Sequence, residues 1–469
     1  MVKPMRRVRP DDDFMFLTDT DETPMQIGAL QFYEVAGDQR DAFFTRVRDH
    51  LARRLPRTPL LCVLQRAPDD FDSAVWLERR SCDFDLHVTR VAAHEPMSET
   101  AVNRFVAAAA MRRLDLKRPP FRVEVLDNLQ DGRCAVLILV HHAFCDGVGF
   151  QAILQALTDG TPDAGDAPAP DRQDEAAPSD SEWMAKAEAR FAAEAGDRDA
   201  WKVRRRAAVD ALAALDAESP ERPVTPTLKL SGATSRERAY ATLALPLSRI
   251  RALGKELDAT VNDLFLTIAG GALRRYLIEI DDLPHAPLVI NSARSYRRPE
   301  HGDLGNRIVA LHPHLGTHIA HPIERLRAVQ ASMRAELRRS QFDEQLLDSL
   351  ESPFGPRDRR QAFAKRLASG ARVLPGNVTL SNVPGPSAPR FLAGFRQLSN
   401  YPTPLLGSGR FLNITLRRNV DQLDLGIMAD PTKLSNLGRF LDLLSAALEE
   451  IERALQQAPL GPAVKGTVA

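Results

Sequence analysis

Residues 133–150 read RCAVLILVHHAFCDGVGF, and this stretch decides the fold class. The run Ala135–Val140 is apolar without interruption, the pattern of a strand buried on both faces. His141 and His142 close the run, and Gly147 and Gly149 then open an apolar helical segment from Phe150 to Leu157. Side chains alternate along a strand, so the two histidines point to opposite faces and only one can look into a given cleft. A neutral imidazole at such a strand end can take a proton from a hydroxyl at physiological pH. Asp146 can fix the loop through a charge-assisted bond, and Gly147 permits a turn that a Cβ would resist.

Working outward, the N-terminal part alternates strands and helices. Residues 26–34 and 121–126 read as strands, and 39–54 and 100–113 as helices. The C-terminal part repeats the theme. A long apolar helix is expected over 259–280, strands over 286–292, 306–313, 376–382, 411–418 and 423–428, and a closing helix over 432–455. Between the two parts, residues 159–181 are rich in Pro, Asp and Ala and lack large apolar side chains, which reads as a mobile linker. An Ala-rich helical stretch follows over 182–217, before the prolines at 220, 223 and 226. The expected organisation is an N-terminal lobe over 1–158, a linker and crossover helix over 159–235, and a C-terminal lobe over 236–469. The fold class is α/β (α+β), in two lobes of mixed α and β segments.

Composition sets the outer limits. The chain has 469 residues, 44% hydrophobic and 26% charged, with 62 basic and 62 acidic side chains and no net charge. That balance speaks against a dedicated nucleic-acid binder. Four cysteines, Cys62, Cys82, Cys134 and Cys145, make no disulfide framework and show no metal-ligand spacing, as expected in a reducing cytosol. The opening MVKPMRRVRPDDD lacks an apolar core, so no signal peptide is expected, and no apolar run approaches the roughly 20 residues of a membrane span.

The spacing His141-His142-xxx-Asp146-Gly147 is the HHxxxDG signature, and the chain resembles the acyltransferase superfamily with the chloramphenicol acetyltransferase-like fold. Further segments are similar to the bacterial wax ester synthase/diacylglycerol acyltransferase family: Asp13-Phe14-Met15-Phe16-Leu17 with Pro24–Leu30, Thr260-Val261-Asn262-Asp263-Leu264 leading to Gly271–Arg274, Asn382-Val383-Pro384-Gly385-Pro386, Tyr401-Pro402 and Leu412-Asn413-Ile414. The chain departs from that family where Pro119-Pro120-Phe121 replaces the common Pro-Leu-Trp, and where Asn291-Ser292-Ala293-Arg294 only partly matches Pro-Val-Ser-x-Arg.

The resemblance implies two chloramphenicol acetyltransferase-like lobes, each a mixed sheet with flanking helices, and His142 at their interface, reached by a tunnel from each face. It implies transfer of a long-chain acyl group from acyl-CoA to diacylglycerol or a fatty alcohol, with His142 as general base and without metal, cofactor or covalent intermediate. His141 would support the strand end, and Asp146 would pair with an arginine, Arg294 being the candidate. Asn262 and Asp263 would serve the oxyanion or substrate, with an N-cap as the alternative for Asn262. Asn382, Pro384 and Gly385 would border the acyl-CoA channel. Such substrates imply a cytoplasmic protein in peripheral contact with the inner membrane or lipid bodies. Two other readings are a condensation-like enzyme using a carrier-protein thioester and a non-catalytic lipid-binding protein.

Weaker candidates are Cys145 as a nucleophile beside His142 and a histidine group at 312, 314, 318 and 321 as metal ligands, for which a solvated or capping role is the simpler reading. Asp11, Asp12 and Asp13 read as a solvated turn. Lys202, Arg204, Arg205 and Arg206 beside Trp201 read as an exposed charged face or a contact for anionic lipid or CoA phosphates.

Overall fold

The computed structural model of the chain describes residues 6–165, 170–195, 198–218, 221–349 and 375–457. Two six-stranded mixed sheets dominate it, and we number strands in chain order. The N-terminal sheet has the spatial order β12 (Phe391–Leu392), β13 (Phe395–Thr403), β2 (Gln26–Tyr33), β7 (Cys134–His141), β6 (Phe121–Leu126) and β5 (Val88–Arg90). The C-terminal sheet runs β10 (Ile308–Leu311), β9 (Ile290–Ser295), β11 (Val378–Val383), β14 (Leu412–Asn419), β15 (Gln422–Ala429) and β8 (Ala239–Pro246). A small third sheet joins β1 (Arg6–Arg7), β4 (Val75–Glu78) and β3 (Cys62–Gln65).

β7 lies between β2 and β6, antiparallel to both, and every one of its residues is buried. Its two faces serve different cores. Val136, Ile138 and Val140 pack with Phe43, Val47 and Leu51 of the helix Arg40–Arg54. Leu137 and Leu139 pack with Val102 and Val106 of the helix Glu99–Met111, and with Tyr240 and Met428 from the other sheet. Full burial of each such side chain contributes about 1.5–3 kcal/mol, which accounts for the uninterrupted apolar run. The C-terminal sheet covers one face with the helix Val261–Glu279, buried almost from end to end because Gly270 and Gly271 let Leu315 and Arg325 approach closely.

Two features depart from expectation. β12 and β13 come late in the sequence yet extend the N-terminal sheet beside β2, so that sheet draws on both ends of the chain. The described part of the supposed mobile linker is tethered: Arg172 donates to the carbonyls of Pro56 and Thr58 at 2.6 Å each, and Glu175 accepts from the Glu78 amide at 2.7 Å. Residues 166–169 of that linker lie outside the described residues. The crossover consists of two helices, Asp180–Ala195 and Arg198–Glu218. The first is anchored by buried Trp183, whose Nε1 donates to Asp72 at 3.0 Å. Among the described residues no helix is long and apolar enough to cross a membrane.

Candidate active site

The two histidines at the end of β7 diverge as strand geometry requires. His141 turns into the N-terminal lobe and stacks on Phe16, with ring centroids 5.2 Å apart. Its Nδ1 accepts from the Ala143 amide at 3.1 Å, which leaves the ring proton on Nε2, 3.6 Å from Asp19 Oδ2. Burial pushes the Asp19 carboxyl up, but His141, Arg113 and the Met25 amide together outweigh it and hold the group at about 2. His141 therefore supports the strand end.

His142 takes the opposite face and lines a cavity of about 250 Å³ between the two sheets. Burial lowers its pKa, against the opposing pull of its own carbonyl, the Cys145 carbonyl and Asp146. Nδ1 is buried and makes no hydrogen bond of good geometry, although those carbonyls lie close by. Nε2 is thus the nitrogen presented to the cavity. A neutral imidazole so placed can accept a proton from a hydroxyl brought into that space.

Asp146 caps the helix Gly147–Leu157: its Oδ1 accepts from the Gly149 amide at 2.9 Å. Its Oδ2 accepts from Arg297 Nη2 at 3.0 Å and from the Arg307 amide at 2.9 Å. One carboxylate thereby joins the loop 142–146 to the C-terminal lobe. Gly147 is needed for the same approach, since a Cβ there would stand 2.6 Å from Val383 Cγ1.

The cavity wall from the N-terminal side is apolar, with Phe14, Met15, Met25, Ile27 and Phe150. The opposite wall is the polar face of β9, β11 and β14, with Arg410 and Arg417 among its lining. Burial lowers both guanidinium groups to about 10. Beside Arg417 in register sits Asp424, whose carboxyl is pushed up to about 6 by burial. The lining reaches exposed residues in two places, at Ala293, Asn382 and Pro384, and at Ser408.

Family-model comparison matches the wax ester synthase/diacylglycerol acyltransferase catalytic domain to residues 8–265 and the WS/DGAT C-terminal domain to residues 304–452. The chain belongs to this WS/DGAT family. It is 30% identical to a putative diacylglycerol O-acyltransferase of Mycobacterium tuberculosis (strain ATCC 25618 / H37Rv), over 98% of this chain and 100% of that protein. A probable diacylglycerol O-acyltransferase of the same strain is 28% identical over 96% of this chain and 100% of its own length. The wax ester synthase/diacylglycerol acyltransferase from Marinobacter aquaeolei VT8 shares the fold, with a TM-score of 0.68, 24% identity and coverage of 96% of this chain and 100% of that one. The first condensation domain of the calcium-dependent antibiotic synthetase does so at a TM-score of 0.58 and 14% identity, covering 97% of each chain. As a WS/DGAT acyltransferase, the chain works on an acyl donor and a lipid acceptor.

Within this WS/DGAT chain several sequence expectations need correction. The arginine on Asp146 is Arg297; Arg294 donates instead to Ser340 Oγ at 3.0 Å. Both lie in one short stretch, and the shift follows from where β9 ends, at Ser295. Asp263 does not face substrate, because its Oδ2 accepts from the amide and hydroxyl of Thr260, at 3.0 and 2.8 Å, in a capping box. Thr260 is the N-cap, and Asn262 stands outside the cavity lining, 3.5 Å from the rim residue Asn382. Asn382 and Pro384 do border the cavity, whereas Gly385 packs beneath the Arg418 carbonyl, where a Cβ would not fit. Cys145 is buried and its thiol is held well above the ordinary value, which suppresses the thiolate a nucleophile requires. His314 and His318 stack edge-on at 6.3 Å, and no group of three or more possible ligands forms a metal site among the described residues. Lys202 and Arg206 are exposed and pair with Asp199 and Asp210; the side chain of Trp201 lies outside the described residues.

The supposed solvated turn at Asp11–Asp13 is also corrected, and it leads to what the sequence concealed. Asp12 and Asp13 are buried, and the side chain of Asp11 lies outside the described residues. Asp12 Oδ1 accepts from the amide and from Nδ2 of Asn306, each at 2.7 Å, and the same Nδ2 donates to the carbonyl of His142 at 2.7 Å. The Gly305 amide donates to the Phe144 carbonyl at 2.8 Å, with φ of 71° that favours glycine. Three consecutive residues, 305 to 307, thus grip the loop 142–146. The Gly305-Asn306 pair is a turn signal and the one trace of this grip in the sequence.

Proposed function

We propose that this chain moves a long-chain acyl group from acyl-CoA to a lipid alcohol, diacylglycerol or a fatty alcohol, with His142 as general base. The observation that carries the reading is the His142 ring on the wall of a cavity between the lobes, with one nitrogen buried and the other presented. Nε2 takes the hydroxyl proton as the oxygen attacks the thioester carbonyl. The new C–O bond forms, the C–S bond breaks, and the imidazolium returns the proton to the departing thiolate. Proton and charge balance without a metal, a cofactor or a covalent enzyme intermediate. The names of the mycobacterial relatives support diacylglycerol among the acceptors. Both substrates are lipidic, so the protein works at a membrane or lipid-body surface from the cytoplasmic side, in peripheral contact.

The test uses the whole chain with labelled palmitoyl-CoA and acceptor carried in liposomes. Wild type transfers label and pellets with the liposomes. His142→Ala, folded by circular dichroism, loses about a hundred- to ten-thousand-fold in rate. Full activity in that variant removes the mechanism. Turnover of a carrier-protein thioester with none of free palmitoyl-CoA replaces the donor, and bound lipid without turnover on any alcohol makes the protein a lipid binder.

A further inference from the structure

The cavity wall built by the C-terminal sheet carries polar groups that the chemistry at His142 does not use. Strand register sets Asn291 beside Thr379 and Thr379 beside Asn413, and one step along sets Ser381 beside Thr415. All five side chains line the cavity, while the alternating residues Ile290, Leu380 and Ile414 face the apolar core. Asn413 and Thr415 are engaged: Asn413 Nδ2 donates to the Leu405 carbonyl at 2.6 Å, and Thr415 Oγ1 donates to Asn413 Oδ1 at 3.2 Å. The side chains of Asn291, Thr379 and Ser381 have no hydrogen-bond partner among the described residues, and none is sealed away from the cavity.

We infer that Asn291, Thr379 and Ser381 form an acceptor-selecting row that hydrogen-bonds the ester oxygens of an acyl glyceride and disfavours a plain long-chain alcohol. The inference rests on acyl transfer at His142. Two hydroxyls and an amide are neutral donors, matched to neutral ester carbonyls. A simple alcohol spends its single polar group at His142 and lays hydrocarbon over the row. Covering unpaired hydroxyl and amide groups with hydrocarbon is costly, so the row acts through rejection as much as through attraction. The two amides of a pantetheine arm offer similar acceptors, and the test separates the two sources.

The Thr379→Val/Ser381→Ala double variant is assayed against a diacylglycerol and against hexadecanol, with palmitoyl-CoA saturating for the acceptor constants and then varied at fixed acceptor for its own KM. Wild type favours the glyceride. In the variant the ratio of kcat/KM, glyceride over alcohol, falls about 10- to 100-fold, the effect of losing two hydrogen bonds. Hexadecanol efficiency rises as the glyceride's falls. Thr379→Ser, which keeps the hydroxyl, retains the wild-type ratio. Both acceptors are read on one preparation, so partial unfolding scales them together; Asn291→Ala supplies the same ratio should the double variant fail to fold. A rise in KM for palmitoyl-CoA that is equal with both acceptors, at an unchanged ratio, assigns the row to the pantetheine arm and overturns the inference. An unchanged ratio with unchanged KM overturns it as well. Wild type inactive on both acceptors sinks the proposed reaction itself, a failure visible before any variant is compared.

Discussion

At His142 burial competes with the surrounding carbonyls and Asp146, and burial prevails. The ring accepts a proton only when neutral, that is, above its pKa. A lowered pKa therefore extends activity downward: kcat/KM should climb with pH through a midpoint below the ordinary imidazole value of about 6.5, and level off above it. Asn306 bears on the same ring through the His142 carbonyl, to which it donates and which itself pulls the ring's pKa upward. Replacing Asn306 with Leu frees that carbonyl and strips Asp12 of the Nδ2 donor while leaving it the backbone amide of residue 306. We expect kcat to fall about 10- to 100-fold, as for a misplaced catalytic group, with KM for acyl-CoA little changed and the acidic midpoint displaced. A variant with lower thermal stability but the wild-type pH midpoint would mark Asn306 as structural only. His141, His142 and Asp146 were legible because they share one short motif at the end of an uninterrupted apolar run. Asp12 and Asn306 were not, because each finds its partner 294 residues away and nothing local marks a buried carboxylate. Arg297 lay three positions from the residue the family pattern suggested, a register detail that only the end of β9 resolves.

At the scale of elements, β7 declares itself through burial on both faces, and the helix Val261–Glu279 through its length and its Thr-Val-Asn-Asp start. β13 hides. Its sequence FRQLSNYPT spaces the large apolar residues Phe395, Leu398 and Tyr401 three apart instead of two, ends near a proline, and pairs with β2, far earlier in the chain. β13 also meets β15, where Gly426 lies under the Pro402 carbonyl, the oxygen that accepts from Tyr240 Oη at 2.9 Å. No Cβ fits between them. Gly426→Ala should force the two sheets apart locally and cost about 1–3 kcal/mol, read as a lower urea midpoint; an unaltered midpoint would mean the sheets are not held at this crossing.

For the molecule as a whole, the two lobes were legible as repeated α/β segments, but their interlocking was not, because strand order is a property of long-range pairing. The interlock makes the halves interdependent. A fragment of residues 1–235 keeps β2 and β7 but lacks β12 and β13, leaving the β2 edge unpaired. Expressed alone it should be insoluble or should bind hydrophobic dye, and co-expression with residues 236–469 should restore a soluble pair. A soluble, cooperatively melting fragment would show that β13 is dispensable to the N-terminal sheet.

That interlock also has a temporal side. About 360 residues separate Tyr33 from Phe395. A ribosome working at about 5–20 residues per second needs some 20 to 70 s to deliver the strand that shields β2. Throughout that interval the nascent polypeptide displays an open ladder of amides and carbonyls, so demand for chaperone protection should peak during translation and subside once residue 403 has cleared the exit tunnel.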